Sequence, residues 1–502
     1  MIVSDIVEHF AAATPDRTAV VDRGREIGYA ALNERIRRRA AAVAGLGVRR
    51  GDRVATLSAD RVEHLELICA LSRVGAVWVA VNHRLTLPEV AHILADSGAV
   101  GLFYSEEHRE LAHEAAATGG AWARPLRDEP AAGPGGERPS AGDDFCIMYT
   151  SGTTGRPKGA VLTHRQFLAG AYYLACGAGI TAADRILLGP PQFHAGGAIY
   201  QFAHLLAGAS VVLLPRFDPE LVERAAAAHG VGTLGLVPTM MHALADRRPP
   251  SQGRVRRVLY GGSPVSRSVL RRMMAAYPVE FVQTYGQTEA GVIVTILDGD
   301  AHRGALAGDE RLLASCGKPL LGYRVRLDGV TGGIGEVMVD SESVMRGYWR
   351  RPEATEAALA GGWLRTGDMG SRDERGFLYI HDRKSAMIIS GGENVYPLEV
   401  ERVLAEHPLV DEVAVIGVPD ERWGEVVKAV VVSAGRRPEL AELREHCRGR
   451  LAGFKIPKLL EHLPVLPRNA AGKVTKHRLS SHLVGQPVRG VDGDLDGPGR
   501  ER

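Results

Sequence analysis

Between residues 29 and 290 the chain alternates helix-like segments with short apolar runs of strand length, and this alternation limits the fold more than any other feature. Tyr29 to Gly45 is helix-like, Val54-Ala-Thr-Leu-Ser58 strand-like, Val62 to Arg73 helical again, and Val77-Trp-Val-Ala-Val81 an uninterrupted apolar strand. A helix from Pro88 and the run Val100 to Tyr104 continue the order. Such a β-α-β-α succession requires parallel sheets covered by helices. A stretch rich in Pro, Gly and charge, Arg127 to Asp144, reads as a linker, after which strand-like runs resume at Phe145 to Met148, Ile186 to Leu188, Val211 to Leu214, Thr233 to Val237, Val255 to Leu259 and Phe281 to Thr284. Two α/β subdomains packed together are expected.

From about Ser315 to Ile380 short strands separated by Gly-rich turns predict a β-rich subdomain. Beyond Asp382 a smaller α+β segment is expected, with helices at Pro397 to Glu406 and Glu439 to Leu451 and strands at Glu412 to Gly417 and Val426 to Val432. The fold class is therefore α/β. A large N-terminal domain (1–384) holds the two α/β subdomains and the β-rich one. A small, mobile α+β C-terminal domain (385–484) follows, and then a disordered Gly, Pro and charge-rich tail (485–502). Within the tail Asp492-Gly-Asp-Leu-Asp-Gly497 imitates the start of a calcium loop, but Pro498 directly after it favours a solvated tail.

Composition excludes several partners. With 61 Lys plus Arg against 59 Asp plus Glu, the net charge of +2 offers no basic field for nucleic acid or anionic membranes. Five cysteines in no C-x-x-C spacing indicate a reducing compartment without a disulfide framework or zinc site. Met1 to Phe10 carries Asp5 and Glu8 where a signal peptide needs a basic and then an apolar stretch, and no apolar run approaches the ~20 residues of a membrane span. A soluble, cytoplasmic protein is expected. Only eight of the basic residues are lysine, and Lys158 is the only one before Lys318. Because Lys is a compact mobile charge and Arg a planar fork, each Lys in so Arg-rich a chain is a lead.

Lys158 lies in Tyr149-Thr-Ser-Gly-Thr-Thr-Gly-Arg-Pro-Lys-Gly159, directly after the strand candidate Phe145 to Met148. Backbone N–H groups of a Gly-rich turn, several hydroxyls and one amine make a phosphate loop in physical type. It is not a Walker A loop, since Pro157 stands where a second Gly is required after Gly152. Gly261-Gly-Ser-Pro-Val265 lacks the last Gly of a nucleophile elbow, so Ser263 is not a hydrolase nucleophile. Gly177-Ala-Gly-Ile-Thr-Ala182 follows a helix-like segment instead of a strand, which argues against a Rossmann site.

Together with four later segments, the loop resembles the adenylate-forming superfamily of acyl-CoA synthetases, peptide adenylation domains and luciferases. These are Tyr285-Gly-Gln-Thr-Glu289, Thr366-Gly-Asp368, the hinge Asp382-Arg-Lys-Ser-Ala386 with Gly391-Gly-Glu-Asn-Val-Tyr-Pro397, and Pro467-Arg-Asn-Ala-Ala-Gly-Lys473. The resemblance runs to about Leu479. It implies that Thr150, Ser151, Gly152, Thr153, Thr154 and Gly155 hold ATP phosphates with Lys158. It makes Glu289 the Mg²⁺ ligand with Thr154 assisting, places Thr288 near the α-phosphate and stacks Tyr285 on adenine. Asp368 and Arg383 fall at the ribose, while Gly261, Gly262, Ser263 and Gly286 wall the adenine and acyl pockets. Lys473 is implied to bridge the incoming carboxylate and the phosphate as a catalytic group beside Lys158, Thr288 and Glu289. Gly391 and Gly392 are implied to reach the CoA tunnel after a domain rotation.

Phe193-His194-Ala-Gly-Gly197 resembles the segment whose His or aromatic residue gates the acyl pocket. With Gly196, Gly197, Val237, Pro238, Met240 and Met241 it suggests an apolar pocket, and the charges around it are too few to indicate an amino-acid or dicarboxylate substrate. The expected activity is ATP-dependent acyl-CoA synthesis with ATP, Mg²⁺ and CoA. The form of the hinge loop favours CoA over a carrier protein, which stays an alternative acceptor. The hinge departs from the family pattern, with Ser385 and Ala386 where Lys or Asp and then an acidic residue are usual. An enzyme strong in only one half-reaction is therefore a second alternative, and a non-catalytic ATP-binding scaffold a third, which intact Lys158, Glu289, Asp368 and Lys473 argue against. The acid, the oligomeric state and the pathway are not legible.

Overall fold

The computed structural model describes residues 1–128, 133, 136–150, 157–245, 247, 254–390, 393–420, 423–468 and 474–480. Ser151, Gly152, Thr153, Thr154, Gly155, Gly391, Gly392, Lys473 and the tail 485–502 lie outside the described residues. The chain divides into two compact units, Met1–Ser385 and Ala386–Arg502.

Among the described residues the first unit contains three sheets. A seven-stranded sheet runs, edge to edge, Gly347–Tyr348, Lys158–Thr163, Asp144–Thr150, Val77–Val81, Arg53–Leu57, Gly101–Tyr104 and Trp122–Pro125, with the last five parallel. A nine-stranded sheet runs Lys318–Pro319, Thr295–Leu297, Glu280–Tyr285, Arg257–Gly261, Thr233–Leu236, Arg185–Leu188, Ser210–Leu213, Thr18–Asp22 and Arg25–Gly28, with six parallel strands in its middle. The α/β architecture expected from the alternation is present in both. The continuous apolar runs have the physical cause expected of parallel sheets, burial on both faces, and every residue of Val77–Val81 is buried. Helices begin and end where local chemistry dictates. Thr86 with Glu89 and Thr163 with Gln166 form capping boxes, and Gly75 and Gly98 adopt left-handed backbone at helix ends. The third sheet is antiparallel, Arg324–Thr331, Ile334–Asp340, Leu364–Arg372 and Leu378–Arg383, where Gly-rich turns had indicated a β-rich subdomain.

In the second unit Glu393–Val395, Ile388–Ser390, Gly424–Val432 and Glu412–Asp420 form an antiparallel sheet joined in parallel by Leu459–His462. Helices Pro397–Leu404 and Leu440–Cys447 contribute Val400, Leu404 and Leu443 to its core. Across the described residues no helix is long and apolar enough to cross a membrane.

The core of the first unit encloses histidines that are wholly buried. His64 hydrogen-bonds Thr56 Oγ1 at 2.9 Å, His164 Nδ1 accepts from Val3 N at 3.3 Å, and His204 Nδ1 meets the Tyr200 carbonyl at 2.7 Å. Burial lowers these imidazoles to about 3, about 4 and about 4, far below an ordinary 6.5. As pH falls from 6.5 toward 4 the unfolded chain binds protons that the folded chain refuses, so stability declines across that window. Asp60 acts in the opposite sense, because burial raises its carboxyl to about 7 and the folded state gains from its protonation below that. Three histidines outweigh one carboxyl, and the thermal midpoint is expected to fall progressively between pH 6.5 and 4.5. A flat or rising midpoint in a pH series of melting curves would contradict this account.

Candidate functional site

The parallel strands of both sheets deliver their carboxyl ends to one crevice, the usual location of ligand sites in α/β folds. Thr150, the last residue of its strand, donates from Oγ1 to Glu289 Oε1 at 2.8 Å. Glu289 follows the strand Glu280–Tyr285, in the short turn Thr288–Ala290, and is 7% exposed. The Tyr348 hydroxyl donates to the same Oε1 at 3.0 Å, and the Glu289 carbonyl accepts from Met345 N at 2.9 Å. Tyr348 pairs through its backbone with Ala160 on the strand that Lys158 opens, and Lys158 Nζ lies 5.3 Å from the Tyr348 ring centre. Burial, reinforced by the Glu289 carboxylate, pushes the Tyr348 phenol above its ordinary range and keeps it a donor. A carboxylate, an amine and a hydroxyl of the Gly-rich segment Tyr149 to Gly159 therefore share one corner.

A second carboxylate lies beside it. The Tyr285 hydroxyl donates to Asp368 Oδ2 at 2.6 Å, and Arg383 Nε pairs with Asp368 Oδ1 at 2.7 Å. Gln287 Nε2 and Arg383 Nη1 both donate to the Thr366 carbonyl, at 3.3 and 3.0 Å. Thr366 Oγ1 donates to Val337 O at 2.7 Å and accepts from Asp368 N at 3.0 Å, which fastens the segment to the antiparallel sheet. Gly367, at φ +71°, supplies the left-handed kink within it. Burial first, then Asp368, raises the Tyr285 phenol well above its usual value. A carboxylate has about four lone-pair positions, so a group held in this way is built to collect several donors at once.

The linking backbone is tightly packed. A Cβ on Gly286 would lie 2.1 Å from the Val292 carbonyl oxygen, and Val292 itself sits at φ +86°, a costly conformation for a β-branched residue. A Cβ on Gly261 would meet Thr284 Oγ1 at 2.2 Å, while Gly262 and Ser263 follow on the exposed turn. Thr288 begins the turn that carries Glu289.

The remaining sequence-derived residues are placed apart from this corner. His194 precedes the helix Ala195–Leu206, with its ring 4.4 Å from Phe193, and burial lowers its imidazole to about 4, leaving it neutral. Gly196 has open space where a side chain would project, whereas Gly197 packs on the Pro191 carbonyl. Val237 precedes the helix Pro238–Leu244, and Met241 is fully buried in the core. At the end of the first unit Lys384 Nζ pairs with buried Glu336 at 3.0 Å, immediately before Ser385. Arg365 binds Glu336 and Asp328 at 2.9 and 3.0 Å.

Sequence reasoning missed Tyr348, which stands in an Arg-rich stretch without a motif and reaches the site only through strand pairing. It also gave Gln287 no role, although its place inside Tyr285-Gly-Gln-Thr-Glu289 was a usable signal.

The AMP-binding enzyme model matches residues 7–349, and the AMP-binding enzyme C-terminal domain model matches residues 399–473. The chain belongs to the AMP-binding enzyme family. Feruloyl-CoA synthase of Amycolatopsis sp is 41% identical over 488 residues, 93% of this chain and 96% of that protein. Fatty acid–[acyl-carrier-protein] ligase ScoC of Streptomyces coeruleorubidus is 36% identical over 507 residues, 95% of this chain and 96% of its own. The structure of o-succinylbenzoate CoA synthetase of Bacillus subtilis with its acyl-adenylate intermediate superposes with a TM-score of 0.86 at 33% identity, covering 98% of this chain and 99% of that one. The same enzyme with ATP and magnesium ion gives 0.85 at 32% identity, covering 94% and 98%.

Gly286→Ala is expected to destabilise the first unit by about 1–3 kcal/mol, because the contact is with backbone that no rotamer can relieve. A lowered midpoint in denaturant unfolding would register it; an unchanged midpoint would show that the loop adapts.

Proposed function

We propose that the chain activates an apolar or aromatic carboxylic acid as its acyl-adenylate and passes the acyl group to the thiol of CoA. Its activity is that of an AMP-forming acyl-CoA synthetase, an acid–thiol ligase. The observation that carries the residue-level reading is the pair of carboxylates at the crevice: Glu289 held by Thr150 and Tyr348, and Asp368 held by Tyr285 and Arg383.

In the first half-reaction the acid's carboxylate attacks the α-phosphorus of ATP and pyrophosphate leaves. Two anions must meet, so the site's task is electrostatic. Lys158, with Thr150 and the following loop residues Ser151, Gly152, Thr153, Thr154 and Gly155, grips the phosphates. Among the described residues both hydrogen bonds to the Glu289 carboxylate fall on Oε1, so Oε2 can turn to a cation. One carboxylate together with substrate phosphates is a donor set that suits Mg²⁺. Glu289, with Thr154, would hold Mg²⁺, which when bound neutralises charge on the triphosphate. Asp368 accepts from the ribose hydroxyls, with Arg383 fixing the carboxylate's plane, and Tyr285 and the wall of Gly261, Gly262, Ser263 and Gly286 face the adenine and acyl groups. Lys473 bridges the incoming carboxylate and the α-phosphate, with Thr288 beside it. In the second half-reaction the CoA sulfur attacks the acyl carbon and AMP departs; Gly391 and Gly392 line the approach of the thiol, and Ser385 serves as the pivot.

A carrier protein in place of CoA is the second reading, favoured by the likeness to an acyl-carrier-protein ligase. Incubation with an acid panel and either CoA or a phosphopantetheinyl carrier separates the two, and absence of any acyl-CoA product would defeat the first.

Lys473→Ala is expected to depress ATP–pyrophosphate exchange by about a hundredfold or more, far beyond its effect on thioester formation from supplied acyl-adenylate, on the scale of a lost electrostatic contact to developing charge. Equal losses in both assays would remove the bridging role. Tyr348→Phe, which takes one of two donors from a buried carboxylate, is expected to lower exchange about tenfold, corresponding to about 1.4 kcal/mol. Exchange at the parent rate would show that Thr150 alone suffices to orient Glu289.

A further inference from the structure

The crevice is bridged at a second place. Asp60, in the loop after the strand Arg53–Leu57, accepts from Gln192 N, after the strand Arg185–Leu188, at 2.8 Å. Next to this bridge His83, just beyond the strand Val77–Val81, packs its ring 5.0 Å from that of Phe193. Around these contacts lies a cavity of about 60 Å³ lined by Asp60, His83, Arg84, Gly189, Arg216 and Met240 among others. Its distance from the Thr150–Glu289 corner follows from sheet order. It is two strands away in one sheet and three in the other, or about 10–15 Å at ~4.8 Å per strand. Two apolar side chains, Val237 and Met240, lead from the Gly262 turn to the cavity. A Cβ on Gly262 would lie 3.8 Å from Val237 Cγ1, the Val237 carbonyl accepts from Met240 N at 2.9 Å, and Met240 lines the cavity.

We propose that this cavity is the far end of the acyl pocket and selects acids that carry a hydroxyl group remote from the carboxylate, with Asp60 and His83 as the specificity-determining side chains. The inference rests on the acyl-CoA synthetase reading and names its substrate class. Asp60 is 7% exposed, and His83 Nδ1 is buried without a hydrogen-bond partner. An alkyl or unsubstituted aryl end would leave His83 Nδ1 without a partner and Asp60 with the Gln192 N–H, against carbon, the circumstance in which polar sites reject analogues most strongly. A second carboxylate would bring an anion against a carboxyl already shut away from water. A hydroxyl both donates and accepts, and so satisfies the pair whichever of them holds a proton. Burial lowers the His83 imidazole to about 4, which keeps it neutral, and raises the Asp60 carboxyl to about 7, so that it takes up a proton near neutrality. Arg84 and Arg216 are exposed at the rim, where water solvates them.

The test uses the full-length chain and two matched series: para-hydroxycinnamic, cinnamic and para-carboxycinnamic acids, and omega-hydroxyoctanoic and octanoic acids. CoA-thioester formation is followed as kcat/KM, and adenylate formation is followed separately by hydroxamate trapping. Preference for the hydroxylated member of either series by about tenfold or more supports the inference. So does a fall of at least about fivefold in that ratio in Asp60→Asn or in His83→Phe, a pair that keeps one informative variant if the other fails to fold. Equal or better use of the unsubstituted or dicarboxylic acids by the parent overturns it, as does an unchanged ratio in both variants. Adenylates formed without hydroxyl preference would sink this inference and leave the proposed function standing. No adenylate from any acid would overturn the proposed function and the inference with it.

Discussion

The Glu289 carboxylate ties together segments that the chain separates by more than a hundred residues. Its Oε1 takes hydrogen bonds from Thr150 and Tyr348, and its carbonyl holds Met345. A carboxylate 93% removed from water is tolerable only if donors surround it, so the phosphate-loop strand and the Gly347–Tyr348 strand must both be in place for Glu289 to stay folded inward. The same demand aligns the two sheets. Once Thr150 and Glu289 meet at one end of the crevice, and Asp60 and Gln192 at the other, the carboxyl ends of two independent parallel sheets are registered against each other.

Close backbone approach does the rest of the positioning. Gly261 and Gly286 lie where any Cβ would strike Thr284 or Val292, and the positive φ of Val292 shows that the loop after Tyr285 is held in an unfavourable conformation by its surroundings. Strain of this kind persists because the strand Glu280–Tyr285 is pinned on both sides by neighbouring strands. Tyr285 and Glu289 thus emerge from one strand end in fixed relation, one toward Asp368 and the other toward Thr150. At the close of the first unit, Lys384 and Arg365 converge on buried Glu336 and anchor the residues just before Ser385.

Much of this was legible in the chain. Tyr29 to Gly45 and Val77 to Val81 read as a helix and a strand with the boundaries the structure gives them, because apolar pattern and local termini decide such elements. Glu289, Asp368, Arg383 and Lys158 stood out as motif members, and the structure brings Asp368 to Arg383 and Lys158 to Tyr348. The cavity between the two sheets was not read from the chain. The sequence around His194 carries few charges, and nothing in it announces Asp60, His83, Arg84 or Arg216, which arrive from three other strand ends.

The amino-acid sequence by itself determined the α/β class, the order of elements and the Gly- and hydroxyl-rich make-up of the segment Tyr149 to Gly159, because short-range pattern, glycine placement and residue type are local properties of the chain. Only the tertiary structure decided that Tyr348 shares Glu289 with Thr150, that Asp368 is gripped from two sides, and that the far end of the crevice is polar. Those facts depend on which strands lie side by side and on which carboxylates the packing shuts away from water, and neither is encoded in any one segment.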